Sequence, residues 1–388
     1  MRVDRGVTLA VTGLATGGAA TLGFVVLIPA VASDLQINSV AVGVIPAITY
    51  LAAFLVAVPA GRAADLLPAG RLIFGAHAVI ALGLCLVASA QYPIQLLSGV
   101  ALAGAGYGLV VPPTNVLAAH GSTRRRGLVM SVKQTGVTAG AAVAGFLLPP
   151  VASMAGWRTA VLALAATCLL TTTATIRWAA ASEKSVAERR TIARARSSSA
   201  RRESSTLPVA VRAYAFLMSA AQFGLIGHLA VELSHGRNWT QLQAGFGTAG
   251  VFAGASAGRL LFGLLYDRLA GTRERCLVWA SGGGFVLLFF LPAYTTSPTA
   301  LTILLLGLLG LCIGGWNGVF QAAVADLAPP GQLGRFTASG VMYIYVGAVF
   351  GPLLLGELLV SVSSRTAWTL LSGLPFLAFL ALRRRSRA

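Results

Sequence analysis

Gly61-Arg62-Ala63-Ala64-Asp65 closes a long apolar run, and Arg71 follows the aspartate by six positions. Gly263-Leu264-Leu265-Tyr266-Asp267 closes another, and Arg273 again follows by six. The two leading glycines stand 202 positions apart, and Gly43 and Gly245 match at the same offset. Apolar run, glycine, aspartate and arginine recur in one order, so the chain reads as two related halves.

The bulk composition sets the environment of those halves. Hydrophobic residues make up 56% of the 388, and charged residues only 10%, well below the quarter or so usual in a soluble domain. Apolar runs long enough to cross the ~30 Å of hydrocarbon in a bilayer recur along the chain. They are continuous and do not alternate with polar residues, which excludes a β-barrel reading. The spacing predicts an all-α polytopic membrane protein with twelve transmembrane helices, roughly 8–32, 39–61, 72–89, 94–118, 127–151, 157–178, 208–233, 241–263, 275–293, 299–325, 335–359 and 366–382. Residues 179–207 are rich in Arg, Ser and Ala and cannot bury a core. They divide the chain into an N-terminal six-helix half, 1–178, a cytoplasmic linker, 179–207, and a C-terminal six-helix half, 208–388.

A net charge of +18 suggests nucleic acid in a soluble chain, but its distribution suggests a membrane surface. With the N-terminus inside, the outer loops hold only Arg158, Arg237 and Arg365. Of the other basic residues, all but one lie in or beside inner loops, including Arg124, Arg125, Arg126, the stretch 184–202 and the arginines from 383 onward. This positive-inside bias places both termini in the cytoplasm and the protein in the plasma membrane as a multi-pass chain. Anionic lipid headgroups, not nucleic acid, are the expected partners of the basic stretch. The first apolar run is too long for a signal-peptide core and is expected to remain as the first span. Cys85, Cys168, Cys276 and Cys312 show neither metal-ligand spacing nor an oxidising location, so no metal, cofactor or disulfide is expected.

The two repeats resemble the loop between spans 2 and 3 of the major facilitator superfamily, Gly-x3-Asp-(Arg)-x-Gly-Arg. Gly61, Asp65, Gly70 and Arg71 match it, with Leu66 where Arg is usual and one extra residue before Arg71. Gly263, Asp267, Arg268 and Arg273 form the second copy and keep the Asp-Arg pair. The resemblance covers nearly the whole chain. It implies two pseudo-symmetric six-helix halves, alternating access by rocking, a monomer, and a gating latch made of these residues. The chemistry agrees, because an aspartate near a helix N-terminus meets the positive end of its dipole and an arginine can pair with it. The stretch from Gly224 to Arg268, including Gly258-Arg259, is similar to monocarboxylate and oxalate/formate carriers. Span 5 has Gly136-x3-Gly140-Ala141 and lacks the Gly-Pro of drug/proton antiporters.

Ionisable residues at membrane depth are costly and are candidates for function. Lys133 lies about 9 Å into span 5, on the face of Gly136 and Gly140, and could bind the carboxylate of a small organic anion in a cavity where little water screens it. A lysine snorkelling to the interface is the alternative. Gln134, Asn115, Gln222, Trp316, Asn317, Gln321, Tyr343 and Tyr345 could complete a substrate site, although such residues are more often interhelical glue. Trp316 and Asn317 follow Gly314-Gly315, a stretch that could open the backbone. His228 and Glu232, four apart on span 7, could carry a coupling proton or form an interfacial pair. His77 and His120 are expected to face headgroups. The expected function is secondary active transport of a small solute, with a small organic anion ahead of efflux of drug-like or secondary-metabolite compounds. A non-transporting membrane sensor is a further alternative, and an enzyme is not expected.

Overall fold

The computed structural model describes residues 5–37, 39–119, 126–197, 207–268, 274–294, 299–327 and 333–385. These form α1 (Arg5–Thr21), α2 (Ile28–Asp34), α3 (Ser39–Leu66), α4 (Ala69–Ala88), α5 (Pro93–Ala119), α6 (Arg126–Ser197) and α7 (Val209–Val231). They continue with α8 (Gln241–Arg268), α9 (Glu274–Phe289), α10 (Leu291–Tyr294), α11 (Thr299–Asp326), α12 (Leu333–Ser361) and α13 (Ser364–Arg385). Ten stretches, from Gly6–Asp34 to Ser364–Arg383, are long and apolar enough to cross a bilayer. One of them, Leu128–Thr173, holds two spans, and Val42–Ala57 is the apolar centre of α3, so the described residues contain twelve. Helix is the only regular structure that lets a lone segment satisfy its backbone inside hydrocarbon.

Regular α-helix gives way to other geometry within span 1, between spans 5 and 6, and at the end of span 7. Span 1 passes from α1 through a 3-10 stretch, Gly23–Leu27, into α2, whose first turn carries Pro29. Spans 5 and 6 both lie in α6 and turn at Gly156, whose φ of 82° is a conformation that side chains disfavour. Span 7 ends in a π-turn, Glu232–Gly236.

Packing obeys an internal two-fold. Within the halves, α1 packs on α6 as α7 packs on α12, and α3 packs on α5 as α8 packs on α11. Between the halves, α3 meets α12 and α6 meets α8, and the two contacts exchange when the halves are swapped. Small residues allow the close approaches. Gly136 and Gly140 of α6 face the backbone carbonyls of Val11 and Ala15, while Gly347 and Gly351 of α12 face those of Phe216 and Ala220. In lipid, where tails are as apolar as leucine, such backbone proximity is a main source of helix association.

An even number of spans places both chain ends on one face, the terminal face. On the opposite, far face the halves meet through Gly43 against Pro352 and His228, Gly227 against Pro46, Gly145 against Ala249, and Gly245 against Pro149. Phe146 and Phe246 add a ring contact at 5.5 Å. The two ion pairs described there each stay within one half: Asp34 with Arg158 at 2.8 Å, and Glu232 with Arg237 at 3.7 Å.

Two expectations need correction. His77 does not face headgroups. It is fully buried two turns into α4, with Nδ1 2.8 Å from the Ile73 carbonyl and Nε2 3.0 Å from the Gly13 carbonyl of α1. The reason is that α4 begins at Ala69, so His77 sits deeper than an end position and on the face that α1 covers. His120 lies outside the described residues. The second correction concerns Gly314-Gly315, where the backbone does not open: α11 is continuous, and both glycines pack against α8 beside Ala255 and Gly258.

Candidate functional site

The seam between the halves holds a small, partly open cavity of ≈ 50 Å³. Each half contributes to it. Leu22, Tyr50, Tyr107, Val111, Gln134 and Val137 come from the first, and the second adds a comparable set that includes Gln222, Phe223, Arg259, Asn317, Gln321 and Tyr345. A water needs about 10–15 Å³ by this measure, so the space holds a few waters and is far below the ~300 Å³ of a small-molecule pocket. Contacts between halves lie on both sides of it, so this arrangement is contracted around an inner site.

Arg259 is the strongest polar feature. It is 3% exposed. Its Nε donates to the Gly314 carbonyl at 3.0 Å, and its Nη1 donates to the Gln134 carbonyl across the seam. A guanidinium carries five N–H groups, so three remain for a ligand. Lys133, within electrostatic range of Arg259, is 0% exposed and donates to Asn115 Oδ1. It does not snorkel; it is fully buried, and its amine reaches from α6 to Asn115 of α5. No acidic side chain lines the cavity among the described residues. Two basic side chains therefore occupy the low-dielectric centre with neutral amides and carbonyls as their partners.

The amides form a chain across the seam. Asn317 Oδ1 accepts from Gln321 Nε2 at 3.0 Å and from Gln134 Nε2 at 3.4 Å, the latter from the other half. Gln222 Oε1 accepts from Trp316 Nε1 at 3.0 Å. Trp316 is fully buried against Tyr214 and Phe320, so it holds Gln222 in place and does not line the cavity. Tyr343 turns away and accepts from Arg212 Nη1 at 3.3 Å, while Tyr345 faces the cavity instead. The structure thus gathers Gln134, Gln222, Asn317 and Gln321 at the cavity, pairs Lys133 with Asn115 outside its lining, and leaves Trp316 and Tyr343 outside it as well.

Sequence reasoning overlooked Arg259 and the rings of Tyr50, Tyr107 and Phe223, while Tyr345, a candidate from the sequence, does line the cavity. Arg259 carried a usable signal. Ending span 8 at 263 set it beside the interface, but α8 runs to Arg268, so Arg259 is nine residues, about 13 Å, from the helix end. The tyrosines carried none, because an isolated tyrosine on an apolar helix has the same pattern in a core, a belt or a cavity.

The two copies of the Gly-Asp-Arg repeat stand on the terminal face. Asp267 Oδ2 accepts from the backbone N–H of Leu128 at 3.1 Å, across the seam, in the first turn of α6. A carboxylate there meets orphan N–H groups and the positive end of the helix dipole. Close by, Gly318 of α11 abuts Ser131 of α6. Gly263 is buried in α8 and Arg268 is exposed at its end, while Arg273 lies outside the described residues. In the first copy, Gly61 faces open space, Arg71 is exposed, and the Asp65 side chain lies outside those described. On the far side His228 is buried at the seam beside Gly43, and Glu232 accepts from Ser364 Oγ at 2.9 Å as well as pairing with Arg237.

Comparison with known proteins agrees with this architecture. No curated protein matches the sequence. Among solved structures, a bacterial homolog of the human lysosomal transporter Spinster, inward-facing and occupied, superimposes with a TM-score of 0.74 at 13% identity, covering 98% of this chain and 96% of that one. Its unoccupied inward-facing form gives 0.72 at 13% identity, covering 99% and 98%. The human organic anion transporter MFSD10 (TETRAN) gives 0.68 at 18% identity, covering 98% and 100%. The sequence itself matches the Major Facilitator Superfamily over two overlapping stretches, residues 8–237 and 212–388, that together run nearly end to end. On this evidence the chain belongs to the major facilitator superfamily.

Proposed function

We propose that the protein is a secondary active carrier of a small organic anion, and that Arg259 is the group that holds the anion's charge. The observation behind this reading is the unbalanced charge at the centre: Arg259 lines the cavity, Lys133 is fully buried within electrostatic range of it, and no carboxylate lines the cavity among the described residues. Burying a cation away from water is costly without a counter-charge, and an anionic solute supplies one. Little water screens the attraction there. Arg259 also bonds the Gln134 carbonyl of the other half, so an anion that draws the guanidinium toward itself loosens a tie across the seam. Substrate binding and rocking would be linked through this one side chain. The human organic anion transporter with the same architecture has cargo of the proposed class.

In this reading the terminal face is cytoplasmic, residues 179–207 join the two six-helix halves, and Asp267 on α6 is the terminal-side latch. His228 at the far seam is the candidate for proton coupling. The test is flux into proteoliposomes of radiolabelled carboxylates against neutral and cationic solutes, with and without an inward proton gradient. Carboxylate flux that Arg259→Gln and Lys133→Ala both abolish is the expected result. Flux confined to cationic or bulky apolar compounds, unchanged in both variants, would overturn the anion reading in favour of efflux.

A further inference from the structure

We infer that the anion is a single-ring aromatic monocarboxylate with a hydroxyl or similar polar substituent remote from its carboxylate. This rests on the anion-carrier reading and narrows it. The first observation is the shape of the cavity wall. Tyr50 stands among three other rings, with centroids 4.3 Å away at Phe223, 6.3 Å at Tyr107 and 6.3 Å at Tyr345. Phe223 and Tyr345 belong to the second half, so this cluster closes the cavity by bringing rings from both halves together. Separating the halves parts the rings and leaves a slot walled by aromatic faces and edges. A planar ring fills such a slot in offset or edge-to-face contact.

The second observation is Tyr50 Oη. It is buried and has no hydrogen-bond partner, on a residue only 3% exposed. Buried hydroxyls are almost always paired, and one left without a partner beside a cavity is ready for a ligand group. The third is the count of charges. Arg259 alone presents a cation to the cavity, and Lys133 is engaged by Asn115. One carboxylate is balanced by Arg259. A second would lie against the negative faces of the tyrosine rings, which disfavours dicarboxylates. An amino acid would bring an ammonium group with no lining carboxylate, among the described residues, to receive it. A short aliphatic acid would satisfy Arg259 but leave the ring slot and Tyr50 Oη empty.

The test is binding to the purified full-length protein in lipid nanodiscs by isothermal titration calorimetry, which avoids passive leak of neutral acids. The probes are 4-hydroxybenzoate, benzoate, pyruvate and succinate. We expect 4-hydroxybenzoate to bind at least ~10-fold more tightly than pyruvate or succinate, from buried ring area and aromatic contact. Tyr50→Phe should shrink the preference for 4-hydroxybenzoate over benzoate by ~5-fold, the loss of one hydrogen bond. Tyr50→Leu should bring both aromatic acids toward pyruvate; if that variant does not fold, the wild-type ranking and Tyr50→Phe decide. Pyruvate or succinate binding as tightly as 4-hydroxybenzoate, or a preference that Tyr50→Phe leaves unchanged, overturns the aromatic assignment. If that binding is lost in Arg259→Gln, the anion-carrier reading survives it. No binding of any probe, with Arg259→Gln indistinguishable from wild type, overturns both.

Discussion

Replacing Asp267 with alanine removes one hydrogen bond, and the structure allows its effect on the conformational balance to be worked out. The Asp267 carboxylate accepts from Leu128 N at 3.1 Å, and donor and acceptor belong to different halves. The bond therefore exists only while the halves are together on the terminal face. An ionised acceptor at a helix N-terminus contributes about 1–2 kcal/mol in a partly buried setting. Lost from one state and not the other, that amount shifts the ratio of closed to open terminal side by ~5–30-fold. The assay is the rate at which a membrane-impermeant maleimide, applied from the terminal face, labels a cysteine at Gln321 on the cavity wall. The background would be free of Cys85, Cys168, Cys276 and Cys312. Where the open state is the minor one, Asp267→Ala should raise the labelling rate by the same ~5–30-fold. Asp267→Asn, which keeps an acceptor but loses the charge, should fall between the two. A rate within twofold of the parent, in protein that remains folded, would refute the idea that this bond holds the halves together.

Lys133→Met removes a buried cation and should keep or raise the thermal midpoint in scanning fluorimetry while abolishing carboxylate flux, because a buried charge is a weak source of stability. Gly140→Ala should destabilise by about 1–3 kcal/mol, since its methyl would press on the Ala15 carbonyl, whereas Gly61→Ala meets open space and should change stability by less than about 1 kcal/mol; denaturation in mild detergent would compare them. Trp316→Phe strands Gln222 Oε1 and should cost about 1–3 kcal/mol, with weaker substrate binding by calorimetry. Arg158→Ala breaks an ion pair whose side chains are 42% and 43% exposed, and its thermal midpoint should stay close to wild type.

The twelve spans were legible because a segment in hydrocarbon must be apolar, continuous and helical, and each of those properties leaves a mark in the sequence. The amides were legible for the converse reason. Gln134, Gln222, Asn317 and Gln321 stand out in apolar runs, and all four line the cavity. What escaped depended on exact helix ends and rotation. Arg259 moved from interface to interior once α8 proved longer by one turn and more. Tyr343 and Tyr345 differ by two positions, about 200° around a helix, and only the packing of α12 on α3 and α7 decides which of them sees the cavity. His77 was misplaced in the same way, by the unseen start of α4 and the cover of α1.

The two sides of the seam are made of different materials. On the far face the contacts described between halves come mostly from glycine, proline, alanine and phenylalanine, and the two ion pairs stay inside their own halves. On the terminal face a carboxylate grips a helix end. Added salt screens the second kind of contact and leaves the first almost untouched. Ionic strength should therefore act as a one-sided control on this molecule, loosening the terminal gate while the far gate keeps its strength.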